Sequence, residues 1–369
     1  MVNFLLEEIC SDRRVQRGIV AVNYRLKLDS SLAKRRAGPT DWLSQPGPDT
    51  APPQLELWNV DELALARRRD SVRPTSISFN IGLANSSCRE LDVSLNSAEE
   101  TIWCFMRPEG PPSFTPTLLS ELISVRRMLQ RTFPAFPSGE DAPVKYFVGG
   151  SRLPRIYNLG GDLGFFIESI RNRDLEALRN YAHNCVDVGY HMTVGFHLPL
   201  ITIALVQGDA LGGGLEGMLS FNVVVAEKSV KFGLPEILFN LFPGMGAFSF
   251  LSRKIGMARA QKMILGGRIY SATELHEMGL IDVLADDGRG EDAVRAYIAE
   301  NRHRHIVHRR IRDVNLRVNP TSLSELRDVS DIWAEHAMQL GGSDLRKMEH
   351  LMRAQLRRLH GGRRNVATS

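Results

Sequence analysis

The stretch Gly208-Asp-Ala-Leu-Gly-Gly-Gly-Leu-Glu216 decides how this sequence is interpreted. It follows Leu200-Ile-Thr-Ile-Ala-Leu-Val206, an apolar run typical of a buried strand, and it precedes helical spacing from Gly214. Glycines have no Cβ atom, so a ligand can approach their backbone closely. The first amides of a helix lack intrahelical partners and lie at the positive end of the helix dipole. The stretch therefore predicts a turn that presents N–H groups to an oxygen, although a tight turn that binds nothing would also explain the glycines alone.

Two glutamates accompany this turn. Glu216 lies in the first turn of the predicted helix, and Glu236 ends the sequence Phe232-Gly-Leu-Pro-Glu236. Apolar residues flank both, and burial raises the pKa of a carboxyl group toward neutrality, where it can transfer protons. Taken singly, each is equally explained as a helix-start or surface glutamate. Taken with the amides, the pair predicts proton transfer next to a polarised carbonyl group.

A dinucleotide-binding fingerprint is the competing interpretation of the glycines. Gly212-x-Gly214-x-x-Gly217 matches its spacing formally, with Glu236 about twenty residues later. The glycines, however, lie beyond the predicted strand end at Gly208, and Glu236 follows Pro235 in a turn. The chain after Glu236 has a helical pattern, so the rest of a βαβ sheet is missing.

Four elements in order resemble the crotonase (enoyl-CoA hydratase/isomerase) superfamily. They are Tyr157-Asn-Leu-Gly-Gly-Asp-Leu163, the 208–216 stretch, Phe232–Gly246 and Ser271–Ile281, and the resemblance runs from about Leu91 to Leu284. Within the superfamily, the run from Tyr157 to Gly256 and the part around Ile332-Trp-Ala-Glu-His336 are similar to the bacterial diffusible signal factor synthases. That resemblance implies dehydration of a 3-hydroxyacyl carrier-protein thioester and hydrolysis to a cis-2-unsaturated fatty acid used in quorum sensing.

The resemblance also implies site residues. Glu216 and Glu236 would be the catalytic pair, and the backbone N–H groups of Leu159 and Gly213 would form the oxyanion hole. The loops would be shaped by Gly160, Gly161, Gly212 and Gly214. The acyl pocket would be lined by Met245, Trp333 and Leu351. We expect Glu236 to remove the α-proton and Glu216 to protonate the departing hydroxyl. No cofactor or metal is expected.

Some positions depart from ordinary hydratases, which have a small residue in place of Leu159 and glycines in place of Asn240 and often Ala247. These departures weaken the prediction of hydratase activity on CoA substrates more than that of the oxyanion hole.

The predicted fold class is α/β, with a crotonase-like (ββα) spiral core at residues 76–290. Residues 291–369 are predicted to form a helical layer that serves oligomerisation, as a homotrimer or dimer of trimers, and the acyl pocket. Residues 1–75, with the Pro-rich run Gln45–Gln54 and basic runs, are predicted to be a partly disordered extension. We expect one helix from Phe165 to Leu198, with a break near Asn184, and a strand at Val144–Val148.

Composition limits the classes of protein. The 369 residues carry a net charge of +4, four scattered cysteines and no apolar run long enough to span a membrane. The N-terminus has acids where a signal peptide needs bases. We expect a cytoplasmic protein with reduced thiols that binds no nucleic acid. His303, His305 and His308 lie among arginines and predict a solvated basic face.

Three functions compete. The first is the synthase described above, acting on acyl carrier protein thioesters. The second is an enoyl-CoA hydratase or isomerase acting on acyl-CoA. The third is a non-catalytic protein of the same fold that binds a partner such as a regulatory protein. The basic segment from Asn301 onward suits an acidic carrier protein or a solvated surface equally.

Overall fold

The computed structural model describes residues 74–133 and 143–366, all of which lie in one compact unit that runs from Glu62 to Ser369. Except for its last two residues, the predicted extension 1–75 lies outside the described residues. No helix in the described part of the chain is long and apolar enough to cross a bilayer.

Ten strands and twelve α-helices make up the described residues. The strands are β1 (Leu91–Asn96), β2 (Thr101–Met106), β3 (Tyr146–Ser151), β4 (Ile156–Asn158), β5 (Ile201–Val206), β6 (Asp209–Leu211), β7 (Val223–Glu227), β8 (Lys231–Gly233), β9 (Ile269–Ser271) and β10 (Val283–Ala285). The helices are α1 (Pro74–Ser87), α2 (Pro116–Thr132), α3 (Leu163–Arg171), α4 (Leu175–Thr193), α5 (Gly213–Leu219), α6 (Ala247–Ile255), α7 (Met257–Gly266), α8 (Ala272–Glu277), α9 (Gly290–Asn301), α10 (His305–Val318), α11 (Leu323–Ala337) and α12 (Gly342–Val366). Short 3-10 helices lie at Gly195–His197, Pro235–Phe239 and Arg302–Arg304.

The strands form two sheets. The larger has the order β1-β2-β3-β5-β7-β10, in which β1 and β2 are antiparallel and the other neighbours are parallel. The smaller has the order β4-β6-β8-β9 and is parallel except for its last pair. The six-stranded order differs from that of a dinucleotide-binding sheet. The glycine-rich turn follows β6, a strand of the smaller sheet.

Strands β2, β5 and β7 are buried along their whole length, which explains their almost uninterrupted apolar sequences. One face of the large sheet packs toward α2, α5 and α6, and the other face packs against Val294 and Ile298 of α9. The larger sheet therefore provides a rigid base, and the smaller sheet and the loops that follow its strands lie beside it.

The last two helices pack against the rest of the unit. Helix α11 lies along α4, and α12 contacts α3 and the 3-10 helix Pro235–Phe239. Trp333 of α11 and Met348 of α12 are almost completely buried, and the Trp333 ring meets Phe166 edge-on. The apolar stripe of α12 thus covers this chain's own core, while its predicted role in oligomerisation stays a prediction.

The break predicted near Asn184, within the helix Phe165–Leu198, was placed wrongly. The chain forms α3 and α4, which are separated at Asn172-Arg173-Asp174, and Asn184 lies exposed within α4. Arg173 has a φ of +57°, and the Asp174 side chain accepts a hydrogen bond from the N–H of Ala177. A left-handed residue followed by an N-cap ends one helix and begins the next.

Two further expectations need correction. The strand predicted at Val144–Val148 begins and ends slightly later, at Tyr146 and Ser151. His305, expected on a solvated face, is buried, with Nε2 3.1 Å from the carbonyl oxygen of Lys145 and its ring edge-on to Tyr146.

The position of the helix break can be tested by two substitutions on α4. Asp174→Ala should lower the free energy of unfolding by about 1 kcal/mol, because the N-cap hydrogen bond is lost. Asn184→Ala should leave it unchanged or raise it by about 0.5 kcal/mol, because alanine favours a helix interior. Urea unfolding of both variants measures the difference. Equal losses at the two positions would contradict the observed break.

Candidate active site

Two backbone loops meet at the edge of the smaller sheet. One follows β4 and contains Leu159, Gly160 and Gly161; the other follows β6 and leads through Gly212 into α5. A Cβ atom at Gly214 would lie 2.0 Å from the carbonyl oxygen of Asn158, so only glycine permits this contact. A Cβ atom at Gly213 would lie 3.3 Å from the N of Gly161. The predicted loop-shaping glycines therefore bring the two loops together.

The backbone N–H groups of these loops differ in their hydrogen-bond acceptors. The N–H of Leu159 donates to the carbonyl of Pro112 (2.7 Å), that of Gly160 to Asn158 Oδ1 (2.8 Å), and that of Gly212 to the carbonyl of Gly233 (2.8 Å). The N–H groups of Gly161 and Gly213 donate to no residue that the structure describes.

In this structure the N–H of Leu159, the expected oxyanion donor, is bonded to the carbonyl of Pro112, and its role as a donor stays a prediction. The geometry favours Gly161 and Gly213 as the pair of free donors. The sequence alone gives no sign of this, since the bond to Pro112 joins residues that lie far apart in the chain.

Gln355, which the sequence analysis missed, holds the first loop from the other side. It projects from α12, is buried, and donates from Nε2 to the carbonyl of Leu159 at 3.0 Å. Both backbone groups of Leu159 are thus satisfied, which fixes the peptide that precedes Gly160-Gly161. The signal was present: Gln355 is a polar residue on the apolar stripe of α12 that also carries Met348 and Leu359.

Glu216 is anchored by backbone amides. Its side chain is 3% exposed, and Oε1 accepts hydrogen bonds from the N–H of Met245 (2.8 Å) and of Ala247 (2.9 Å). Ala247 is the first residue of α6, so the carboxylate also lies at the positive end of that helix. No described residue binds Oε2 of Glu216, which leaves that oxygen for a ligand.

Glu236 lies opposite, on the 3-10 helix Pro235–Phe239. Its Oε1 would be 2.5 Å from a Cβ atom at Gly212, so the carboxyl group lies against the second loop. Its Oε2 is buried and has no hydrogen-bond partner among the described residues. The turn that follows requires Asn240 at a φ of +59°, a conformation that glycine or asparagine adopts most readily. This explains how asparagine replaces the glycine usual at this position.

The two carboxyl groups differ in electrostatic environment. Burial raises the pKa of Glu236, the negative charge of Glu216 raises it further, and the backbone N–H of Glu236 itself opposes both effects. Burial also raises the pKa of Glu216, but the amides of Ala247 and Met245 oppose that effect because they stabilise the anion. The two amide hydrogen bonds to Glu216 stabilise its anion, so Glu216 is favoured as the ionised member when the pair carries one negative charge. The charge distribution thus favours the reverse of the expected assignment, in which Glu236 was the base.

Both carboxyl groups line one cavity. The predicted acyl-pocket residues Met245, Trp333 and Leu351 line it too, and so does Gln355. Of the predicted loop glycines, Gly160, Gly161 and Gly212 line the cavity with Gly213, whereas Gly214 packs behind against Asn158. Within the described residues, no group of three or more His, Cys, Asp or Glu is placed to hold a metal.

Residues 140–311 match the family model of enoyl-CoA hydratase/isomerase. Human mitochondrial methylglutaconyl-CoA hydratase is 29% identical over 288 residues, which cover 73% of this chain and 70% of that protein. A probable enoyl-CoA hydratase of Rhizobium meliloti is 42% identical over 95 residues, 26% of this chain and 37% of that protein. The chain therefore spans only about a third of the second relative.

Two solved structures share the fold. Enoyl-CoA hydratase from Bacillus halodurans has a TM-score of 0.58 and 17% identity, covering 72% of this chain and all of that one. Pseudomonas aeruginosa DspI has a TM-score of 0.50 and 20% identity, and the match covers 64% of this chain and 84% of that one. At these identities the likeness concerns the fold alone. The likeness confirms the predicted α/β crotonase-like fold with a C-terminal helical region.

The electrostatics of Glu236 lead to a stability prediction. A carboxyl group whose folded-state pKa is raised contributes stability at pH values below its unfolded pKa, and that contribution is lost as pH rises through the folded pKa. Glu236→Gln removes the ionisation, so the variant should be more stable than the parent protein above neutral pH. The gain should be on the order of 2 kcal/mol, since a tenfold change in an ionisation constant is worth about 1.4 kcal/mol.

Thermal unfolding from pH 4 to 9 measures this effect. The gain should shrink toward acidic pH, where both proteins are neutral at this position. Glu168→Gln, at an exposed position of α3, serves as the control and should show no such dependence. A constant difference between Glu236→Gln and the parent protein at every pH would contradict the buried, uncompensated carboxyl group.

Proposed function

We propose that this chain is an enzyme that dehydrates a 3-hydroxyacyl thioester and hydrolyses the product to a free cis-2-unsaturated fatty acid that serves as a quorum-sensing signal. One observation carries the proposal: the buried carboxyl groups of Glu216 and Glu236 line the same cavity as Gly161 and Gly213, whose backbone amides have no partner among the described residues. This set of groups suits chemistry at carbons 1 to 3 of a thioester.

In the dehydration step, the thioester oxygen accepts hydrogen bonds from the N–H groups of Gly161 and Gly213. This polarises the carbonyl and acidifies the proton on carbon 2, and one such donor is typically worth about 3–4 kcal/mol in the transition state. The ionised Glu216 takes that proton, and the protonated Glu236 gives its own to the 3-hydroxyl, which leaves as water. Glu216 ends protonated and Glu236 ionised, so one proton has passed through the pair.

In the hydrolysis step, the carboxyl groups and amides of the same cavity act on the same carbonyl. The Glu236 carboxylate, which the first step leaves ionised, accepts a proton from a water molecule whose oxygen attacks carbon 1. The amides of Gly161 and Gly213 hold the tetrahedral oxyanion. The carbon–sulfur bond then breaks, and the leaving thiolate takes the proton that Glu216 gained in the first step. Free acid and carrier thiol are released, and both glutamates return to their starting protonation states.

The signal-synthase assignment is supported by the sequence resemblance of Tyr157–Gly256 and of the segment around Trp333 to diffusible signal factor synthases. Trp333 and Leu351 both reach the cavity wall. We propose an acyl carrier protein thioester as the substrate, a cytoplasmic site of action and a trimeric assembly, all of which rest on that resemblance.

A CoA hydratase is the second candidate. It is favoured by the family model and by the human relative, which is named for hydration of methylglutaconyl-CoA. The two candidates differ in product: the hydratase interconverts 3-hydroxyacyl and trans-2-enoyl thioesters and releases no free acid.

Product analysis of purified protein separates these candidates. Incubation with 3-hydroxyacyl thioesters of carrier protein or of CoA, followed by mass spectrometry, should show a free cis-2-enoic acid and free thiol. Glu216→Gln and Glu236→Gln should each lower dehydration by at least about 100-fold, because acid–base groups contribute about 10²–10⁴. A trans-2-enoyl thioester as sole product favours the hydratase, and full activity in either variant overturns the shared-pair mechanism.

The oxyanion hole has a test of its own. Gly213→Ala places a Cβ atom 3.3 Å from the N of Gly161, so the two loops must separate slightly. Turnover should fall by about 10- to 100-fold, since small misplacements of catalytic groups are costly. Gly266→Ala on α7, where a Cβ atom meets nothing within 4 Å, is the matched control and should keep full turnover. Equal activity in both variants would contradict this role of the Gly213 amide.

A further inference from the structure

The loop after β4 is held by hydrogen bonds on both sides of Gly161. The carbonyl of Gly160 accepts a hydrogen bond from the N–H of Phe114 at 2.8 Å. The N–H of Asp162 donates to the hydroxyl of Tyr181 at 3.1 Å. The N–H of Gly161 itself donates to no residue that the structure describes. Its direction is therefore set by the groups that hold its neighbours.

The Gly161 N–H and the Gly160 carbonyl belong to one planar peptide group, so they point in opposite directions. The hydrogen bond from Phe114 fixes the carbonyl end of this group, and a parallel β-bridge pairs Phe114 with Gly161. A displacement of the Phe114 backbone would therefore rotate the Gly161 N–H away from its present direction.

One side chain connects the segments on either side of this peptide group. Tyr181 projects from α4 and is buried, and its hydroxyl donates to the carbonyl of Phe114 while it accepts the N–H of Asp162. Burial raises the pKa of Tyr181, so the hydroxyl stays protonated and able to donate. The hydroxyl thus joins the segment that holds the Gly160 carbonyl to the residue that follows Gly161.

The ring of Tyr181 is positioned by contacts that do not involve its hydroxyl. It stacks on Phe165 with a centroid distance of 5.2 Å and meets Phe166 edge-on at 5.0 Å. A Cβ atom at Gly161 would lie 2.7 Å from Cε2 of Phe166, so the loop also lies against the Phe166 ring. Removal of the Tyr181 hydroxyl alone leaves these ring contacts in place.

We propose that Tyr181 is a positioning residue of the oxyanion hole, whose hydroxyl fixes Phe114 and Asp162 so that the Gly161 amide faces the thioester oxygen. This inference rests on the proposed function, because it takes the Gly161 amide as a donor to that oxygen. Tyr181 is not among the residues that line the cavity of the two glutamates. It therefore acts through the backbone of the loop and not on the substrate.

Kinetics of Tyr181→Phe test this role, because phenylalanine keeps the ring and removes only the hydroxyl. The kcat for dehydration of a 3-hydroxyacyl thioester should fall by about 10- to 100-fold, since a small misplacement of a catalytic group is costly. The KM should change by less than about twofold, because an oxyanion donor acts mainly in the transition state.

Tyr190→Phe is the matched control on the same helix. Tyr190 lies about 13 Å further along α4, because each residue of a helix adds about 1.5 Å. Its ring contacts His191 and His197. This variant should keep the kcat and the KM of the parent protein.

Carbon-13 NMR gives a second measurement that needs no turnover. The probe is butanoyl-pantetheine amide labelled at the carbonyl carbon, an unreactive analogue of the thioester. Its carbonyl resonance should move downfield on binding to the parent protein, because hydrogen bonds from the Gly161 and Gly213 amides polarise the carbonyl. This displacement should be smaller in Tyr181→Phe, since one of the two donors is misdirected, whereas Tyr190→Phe should match the parent protein.

A purely structural role for Tyr181 would lower the melting temperature but leave the carbonyl displacement equal to that of the parent protein, and this result overturns the inference. An unchanged kcat in Tyr181→Phe overturns it as well. If Tyr181→Phe does not fold, 3-fluorotyrosine at position 181 replaces it. Its more acidic hydroxyl is a stronger donor, and an unaltered carbonyl displacement then overturns the inference. If the parent protein turns over no 3-hydroxyacyl thioester, the proposed function fails, and the carbonyl displacement alone decides the role of Tyr181.

Discussion

The site depends on a backbone contact that only glycine allows. Asn158 and Gly214 approach so closely that a Cβ atom would lie 2.0 Å from the carbonyl oxygen. This contact joins the loops after β4 and β6, strands that are parallel neighbours and therefore end at the same edge of the small sheet. Gly161 and Gly213, whose amides have no partner among the described residues, then line one cavity. Backbone donors held in this way need no reorganisation when charge develops on an oxygen.

The glutamates show how two identical side chains acquire different surroundings. Glu216 is anchored through Oε1 by two amides, one of them at the start of α6, and this lowers the cost of its charge. Glu236 has no comparable partner and lies near the charge of its neighbour. The difference comes from the backbone amides of Met245 and Ala247, which contribute no titrating group. Such uncompensated burial lowers stability and is typical of a site selected for reaction rather than for folding.

Much of the fold and of the candidate site was predictable from the sequence. The glycine run, the spacing to Glu236 and the apolar strands predicted the α/β core, and the structure brings both glutamates to one cavity. The free amide at Gly161 was not predictable, because the bond from Leu159 to Pro112 joins distant segments. The break at Asp174 was missed because the helical period of α3 and α4 continues across a single left-handed residue. Periodicity reports which face is buried, whereas caps and long-range amide bonds depend on individual atoms.

The C-terminal helix α12 contacts both the loop after β4 and the cavity. Helix α12 is the last element of the described residues, and from it Gln355 supplies the hydrogen bond that satisfies Leu159 while Leu351 forms part of the cavity wall. Without α12, the carbonyl of Leu159 would lose its partner, and an unpaired buried carbonyl costs about 1–3 kcal/mol. The loop would then be free to adopt other conformations, and the Gly161 amide would lose its fixed direction. The glycines near the centre of the sequence make this donor geometry sterically possible. The hydrogen bond from Gln355 of α12 then holds the loop in that geometry.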